Sequence, residues 1–334
     1  MSSEGPAKEG IVGFRLPGEA PVWWRGPVAE ELNSGGFVIA PFDRSRAPVV
    51  LTPTHQSAEA PTEWPPLMAC PVQQEDDKQR YQQKVKAALR SIDAGTTTKV
   101  VLSRAVTDDI TVDPVAFFEA LANTYPDAFV YLLWTPQHGC WAGATPETLL
   151  AYRDGSWHTQ SLAGTLPHPT SRHWSGKEYR EQQMVTDTIV ASLTQAGFVP
   201  KVGERRAVVA GAVQHLSTPI AIEAAYDQAT TVNLARQLHP TPAVCGLPRE
   251  EATAAIAAIE QRDRQLYTGY LGPVVAESTA QLFVNLRCCQ LWQDAVTLHV
   301  GGGIVDGSEP EAEWEETEHK AQTLRSVLQT IARP

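Results

Sequence analysis

Apolar positions along the chain recur with two periods. Between Asp77 and Ala94 they return at helical spacing, and Gly95 follows as a stop signal. The same period predicts helices over Pro114–Asn123, Ser175–Gln195 (closed near Gly197), Ala229–Gln237, Arg249–Gln261 and Glu309–Thr330. Short apolar runs rich in β-branched and aromatic residues predict strands over Gly36–Pro41, Pro48–Leu51, Lys99–Val106, Phe129–Trp134, Gly269–Ala276, Gln281–Leu291 and Ala295–Val300. Glu147–Tyr152 and Trp157–Leu162 flank Asp154-Gly155 and predict a hairpin. Strands and helices do not alternate strictly, which argues against a doubly wound parallel sheet. The pattern predicts an α+β fold with largely antiparallel sheets and helices packed outside. Residues 1–10 read as a tail, residues 11–75 as an N-terminal segment packing on the core, and 76–334 as the main body. Pro61–Val72 reads as the linker into that body.

Composition narrows the classes. The chain has 334 residues, of which 43% are hydrophobic, enough for one large core or two intimately packed halves. A formal net charge of -11 leaves no basic excess to neutralise phosphates, which excludes a general nucleic-acid or anionic-membrane surface. A few placed cations can still hold an anionic substrate. The five cysteines show no zinc-like spacing with histidine and read as free, buried thiols, with Cys288 and Cys289 on opposite faces of a strand. The N-terminus lacks an apolar signal core, and no apolar run approaches the ~20 residues that span a bilayer. A cytoplasmic protein is expected, as a monomer or weak dimer.

Candidate chemistry gathers in the C-terminal two-thirds. Glu178 and Glu181 share one face of a predicted helix. Taken alone, such a pair reads first as a solvated acidic first turn. In PEAEWEETEHK, Glu313, Glu316 and Lys320 fall on one stripe of the last helix, while Glu311, Glu315 and Glu318 lie off it. Two helices that each offer carboxylates are what an oxygen-preferring cation such as magnesium needs. HVGGGIV (299–305) reads as either a tight turn or a backbone cradle for a carboxylate. It lacks the spacing of a dinucleotide fingerprint. Arg287, in a predicted strand, is either an edge-facing surface residue or an anion clamp.

Together these stretches resemble a known family. KVVLSR (99–104), GATPETLL (143–150), SLAGT (161–165), KEYREQQMV (177–185), QHLSTPI (214–220), LHPTPAVCGLP (238–248), YTGYLG (267–272), VNLRC (284–288), GGGIV (301–305) and EWEETEHK (313–320) resemble, in order, the blocks of the chorismate-binding enzymes. The resemblance covers roughly residues 76–334. It implies the family fold, with two sheet-containing halves and the active site between them. It also implies magnesium, with Glu181 and Glu316 as direct ligands and Glu178 and Glu313 beside them. Tyr267, Arg287, Gly301, Gly303 and Lys320 are implied as contacts for the carboxylates of chorismate, with Gly164 and Thr165 lining the ring site. His215 matches a family active-site histidine.

Two positions separate the branches of this family. Lys99 stands where water-using relatives carry lysine and ammonia-using relatives carry glutamine; alone it reads as a surface lysine opening a strand. Ala163 replaces the nucleophilic lysine of many aminodeoxychorismate synthases. Glu147 matches the family's general acid. The expectation is therefore reversible conversion of chorismate to isochorismate. Lys99 would activate water for attack at C2, and Glu147 would protonate the departing C4 hydroxyl. Salicylate synthase, which goes on to eliminate pyruvate, is the alternative; Ala243 and Val244 spell the isochorismate synthase version more closely. The block spellings lean toward the menaquinone pathway over supply of a catecholate siderophore. A non-catalytic chorismate-site protein would have lost the acid–base pair or the carboxylates, and all are present.

Overall fold

The structure, a computed structural model, describes residues 9–30, 35–71, 77–210, 213–275 and 279–331. It opens on β1 (Glu9–Arg15), β2 (Val22–Ala29), β3 (Gly36–Ala40), β4 (Val49–Leu51) and β5 (His55–Ser57). Then come α1 (Lys78–Asp93), β6 (Lys99–Asp108), α2 (Pro114–Thr124), β7 (Phe129–Thr135), β8 (Gly139–Thr145), β9 (Thr148–Arg153) and β10 (Ser156–Pro167). The middle of the chain forms α3 (Gly176–Gln195), β11 (Pro200–Val202), β12 (Arg206–Ala210), β13 (Val213–Ile222), α4 (Gln228–Leu238), β14 (Gly246–Leu247) and α5 (Arg249–Glu260). It closes with β15 (Tyr270–Val275), β16 (Thr279–Val284), β17 (Cys288–Leu291), β18 (Val296–Val305) and α6 (Pro310–Ile331). Helix starts follow local chemistry: Asp77, Asp113 and Asp227 each accept a backbone N–H three residues on, at 2.8 Å.

Every described ladder is antiparallel. One sheet runs β5-β2-β1-β7-β8-β17-β18-β6-β14. The other runs β2-β4-β3-β15-β16-β9-β10-β13, with β11 and β12 both paired to β13. Strand β2 serves both sheets, Trp23–Arg25 in the first and Val28–Ala29 in the second. The sheets face each other across an aromatic layer that includes Phe14, Phe37, Phe129, Tyr131, Trp141 and Phe283. Phe129 and Phe283, from opposite sheets, stack at 4.2 Å. On the outer side of the first sheet lie α2 and α6, and α1 with α5 further along. α3 and α4 cover the second sheet. Cys288 and Cys289 are buried free thiols that join different core layers, as alternation in a strand requires. Among the described residues no helix is long and apolar enough to cross a membrane.

The structure departs from the sequence expectations at several places. Strand β1 begins at Glu9, inside the stretch read as tail; residues 1–8 lie outside the described residues. The linker read over Pro61–Val72 lacks helix and strand through Pro71, and Val72 lies outside the described residues. Trp64 and Leu67 within it pack on the core. The strand read over Gln281–Leu291 is two strands, β16 and β17, broken at 285–287 where Arg287 takes a left-handed φ of 49°. Alternating apolar residues on both sides of the break hide it in the sequence. The three glycines are not a turn; they continue β18 in register with β6, Gly301 opposite Ser103 and Gly303 opposite Val101.

Candidate active site

Two of the chain's crossings between the sheets are neighbours, and each carries a functional side chain. Between β8 and β9 the crossing residue is Glu147; between β16 and β17 it is Arg287. The crossings are bonded to each other's strands. The Val284 N–H donates to the Glu147 carbonyl at 2.9 Å, and the Ala144 N–H donates to the Arg287 carbonyl at 3.0 Å. Both side chains are half-buried at this gap between strands of the two sheets. Lys99, at the start of β6, faces the same gap: its Nζ lies 3.9 Å from Glu181 Oε1 on α3.

Burial sets the protonation of this group. Desolvation pushes the Lys99 ammonium below its ordinary range, against the opposing pull of Glu181, Glu147 and Glu316, and Lys320 adds to the downward push. Desolvation also pushes the Glu147 carboxyl up to about 7, with Lys99 and Lys320 opposing. A lysine depressed and a glutamate raised, each sensing the other, are the paired base and acid of proton-transfer chemistry. His215 on β13 is depressed by desolvation as well and senses Lys320, Arg287 and Lys99. Its Nδ1 lies 3.3 Å from the Gly164 carbonyl.

Glycine positions let these groups approach. Gly303 has no side chain where a Cβ would stand 2.9 Å from Lys99 Cε. A Cβ at Gly301 would stand 3.0 Å from the Tyr267 hydroxyl. Lys320 on α6 bonds the Gly301 carbonyl at 2.8 Å and Glu316 Oε1 at 2.6 Å. Gly164, with φ of 71°, forms the bulge of β10 between Ala163 and Thr165, and a Cβ there would meet Glu178 Cβ at 3.1 Å. The bulge brings the first turn of α3 against the sheet. Thr165 sits opposite His215 in that ladder; its side chain lies outside the described residues. Ala243 lines a cavity with Glu147, Gln160, Leu162 and Thr241.

The four acidic residues named from the sequence take different places. Glu181 and Glu316 come from separate helices and both act on Lys99. Glu178 is turned back on its own helix, where its carboxylate accepts the Ser175 N–H at 2.8 Å and the Ser175 hydroxyl. Those bonds hold it below the usual carboxylate range. Glu313 packs against Gly302, whose side-chain direction is opposite to that of Gly303. Its Oε1 accepts the Ser308 hydroxyl at 2.7 Å, while Oε2 is buried without a hydrogen-bond partner among the described residues. Among the described residues no three His, Cys, Asp or Glu side chains close around a point. Glu181 and Glu316 are hard oxygen donors from separate helices that both act on Lys99, and Glu313 Oε2 lies near Glu316 beside Gly302, a set that fits a magnesium ion completed by water and substrate.

Several supporting residues were missed from the sequence. The Gln182 amide, buried next to Glu181, donates to the hydroxyls of Ser161, Thr186 and Thr218 at 2.7–3.0 Å and pins α3 to the second sheet. Glu260 and Arg264 form a fully buried pair. Glu260 accepts the Ser103 N–H at 2.7 Å, and Arg264 holds the carbonyls of Val101 at 2.6 Å and Val244 at 3.0 Å. That pair fixes β6, the turn bearing Ala243 and the turn bearing Tyr267 to one another. His299 is buried between Trp141 at 4.9 Å and Tyr267 at 5.6 Å, and burial pushes its imidazole down to about 3. Gln182 carried one usable signal, a polar residue at a position where the helical period requires burial; the others are visible only in three dimensions.

The family described as "Chorismate binding enzyme" matches residues 49–329. The chain is 30% identical to isochorismate synthase DhbC of Bacillus subtilis, over 77% of this chain and 69% of that protein. It is 32% identical to isochorismate synthase MenF of Escherichia coli, over 76% of this chain and 61% of that one. The chain thus spans about two-thirds of the length of these relatives. The solved structure of MenF, the menaquinone-specific isochorismate synthase of Escherichia coli, superposes with a TM-score of 0.81 at 24% identity, covering 96% of this chain and 88% of the other.

Proposed function

The chain belongs to the chorismate-binding enzyme family, and we propose that it is an isochorismate synthase, converting chorismate reversibly to isochorismate with magnesium bound. The observation that carries this reading is the pairing of a desolvated Lys99 with a Glu147 raised to about 7 across one gap. A lowered pKa makes the Lys99 amine easier to deprotonate, as taking a proton from water requires. Glu147 raised to about 7 still holds a proton there to give away. Water polarised by Lys99 attacks C2 of chorismate, the ring double bonds shift, and the C4–O bond breaks as Glu147 protonates the leaving hydroxyl. One water is added and one is released, so the ring keeps its bond types and the reaction runs in both directions.

Arg287, Lys320, Tyr267 and the bare backbone at Gly301 and Gly303 hold the carboxylates in this reading, with Gly164, Thr165 and Ala243 against the ring and His215 at its side. Glu181 and Glu316 would hold the magnesium, with Glu178 and Glu313 beside them, and the ion would offset carboxylate charge in the transition state. Ala163, buried in β10, offers no amine for a covalent route. Spelling of the LHPTPAVCGLP and WEETEHK blocks supports a place in menaquinone synthesis. Because Lys99 activates water, ammonium should be ignored: chorismate with magnesium and excess ammonium should give no anthranilate or amino-substituted chorismate by chromatography. An aminated main product would contradict the branch assignment.

A further inference from the structure

Along α6 the residues Glu316, Lys320 and Thr323 follow at steps of four and three, which places them on one stripe. Glu316 and Lys320 belong to the site described above. Thr323 reaches it through Arg287, whose Nη1 donates to the Thr323 hydroxyl at 2.6 Å. A threonine inside a helix commonly bonds back onto its own helix; this one receives a cation from another element. Its turn of α6 is itself anchored, because the Tyr125 hydroxyl at the end of α2 donates to the Thr323 carbonyl at 2.7 Å. The other end of Arg287 is equally fixed, with a left-handed backbone and its carbonyl bonded to Ala144. Burial depresses the Arg287 pKa, as expected of a desolvated cation whose guanidinium meets a neutral hydroxyl.

We infer that Thr323 is a positioning residue for the carboxylate clamp: its hydroxyl fixes one edge of the Arg287 guanidinium and aims the remaining N–H donors into the site. A guanidinium is a rigid planar fork of five donors, so one fixed bond sets the plane of all the others. Without it the side chain must lose rotamer freedom on each binding event, and affinity falls. The inference rests on the reading of Arg287 as a contact for a chorismate carboxylate.

The test is steady-state kinetics on the full chain with chorismate and magnesium. Thr323→Val keeps the shape and removes the hydroxyl; Thr323→Ser keeps the hydroxyl. The valine variant should raise KM about tenfold, the scale of one lost hydrogen bond to a charged group, with a much smaller change in kcat. The serine variant should return KM to within about twofold of the parent on the same scale. In an Arg287→Lys background, Thr323→Val should add nothing further to KM, which separates positioning from any general loss of packing. An unchanged KM in the valine variant, equal damage from serine and valine, or additive effects in the double variant would each overturn the inference. A parent enzyme inert toward chorismate would overturn the functional reading beneath it, and the inference with it.

Discussion

Lys99 and Glu147 are perturbed in opposite directions by one cause, the removal of water from the gap between the sheets. Each should therefore be needed at its own end of the displacement. Lys99→Ala and Glu147→Gln should each lower kcat by at least about two orders of magnitude, the usual worth of a general acid or base. Since the overall equilibrium is fixed, kcat/KM should fall by the same factor with isochorismate as substrate, measurable by following both directions. A Lys99→Ala variant with near-parental turnover would remove Lys99 from the mechanism and direct attention to His215. Glu147 also sets a pH dependence. Its folded pKa of about 7 lies above the ordinary glutamate value of 4.5, so protonation stabilises the fold fully below about 4.5 and that contribution is lost as pH rises through 7. Activity should decline above pH 7 for the same reason. Glu147→Gln should melt at a higher temperature than the parent at pH 8 and close to it at pH 4, by thermal denaturation. Equal melting temperatures at both values would contradict the buried acid.

At the scale of elements, the glycine run of β18 decides how close Lys99 can come. Gly303→Ala would put a methyl group 2.9 Å from Lys99 Cε, a contact the flexible lysine escapes only by moving its amine. The fold should survive, with a change in stability of about 1 kcal/mol, while kcat falls at least about tenfold because misplacing a base is costly. Circular dichroism and kinetics on the same sample would check this, and full activity would contradict the placement. Sequence patterning located α1, α3, α5 and α6 to within a residue or two at each end, because their apolar stripes and caps are local signals. It also grouped Glu313, Glu316 and Lys320 on one stripe, and the structure keeps Glu313 Oε2 and Glu316 Oε1 together beside Gly302, 3.1 and 3.7 Å from where a Cβ would stand. The break between β16 and β17 was not legible, since Asn285 and Arg287 are held by partners distant in sequence. The Asn285 amide bonds the Leu266 carbonyl at 2.8 Å, and the Tyr131 hydroxyl bonds Asn285 Oδ1 at 2.7 Å. Strands β8 and β13 were also missed. Both are buried through much of their length, so the alternation that marks a half-exposed strand is weak in them.

For the whole molecule, two antiparallel sheets share β2, pack through an aromatic layer and leave their polar crossings facing one gap. Helices α3 and α6 bring carboxylates to that gap from opposite sheets, so the site exists only in the complete packing of both. This reconciles a chain of net charge -11 with an anionic substrate: Arg287 and Lys320 supply local positive charge where Glu181 and Glu316 would hold a divalent cation. The most direct test of the account is incubation of the purified chain with chorismate and magnesium, with isochorismate, salicylate, pyruvate and anthranilate separated and quantified. Isochorismate should accumulate to a fixed ratio with chorismate from either direction, and a chelator should stop the reaction until magnesium is restored. Salicylate with equal pyruvate as the enzyme's main products, full turnover in excess chelator, or no conversion of chorismate would contradict it.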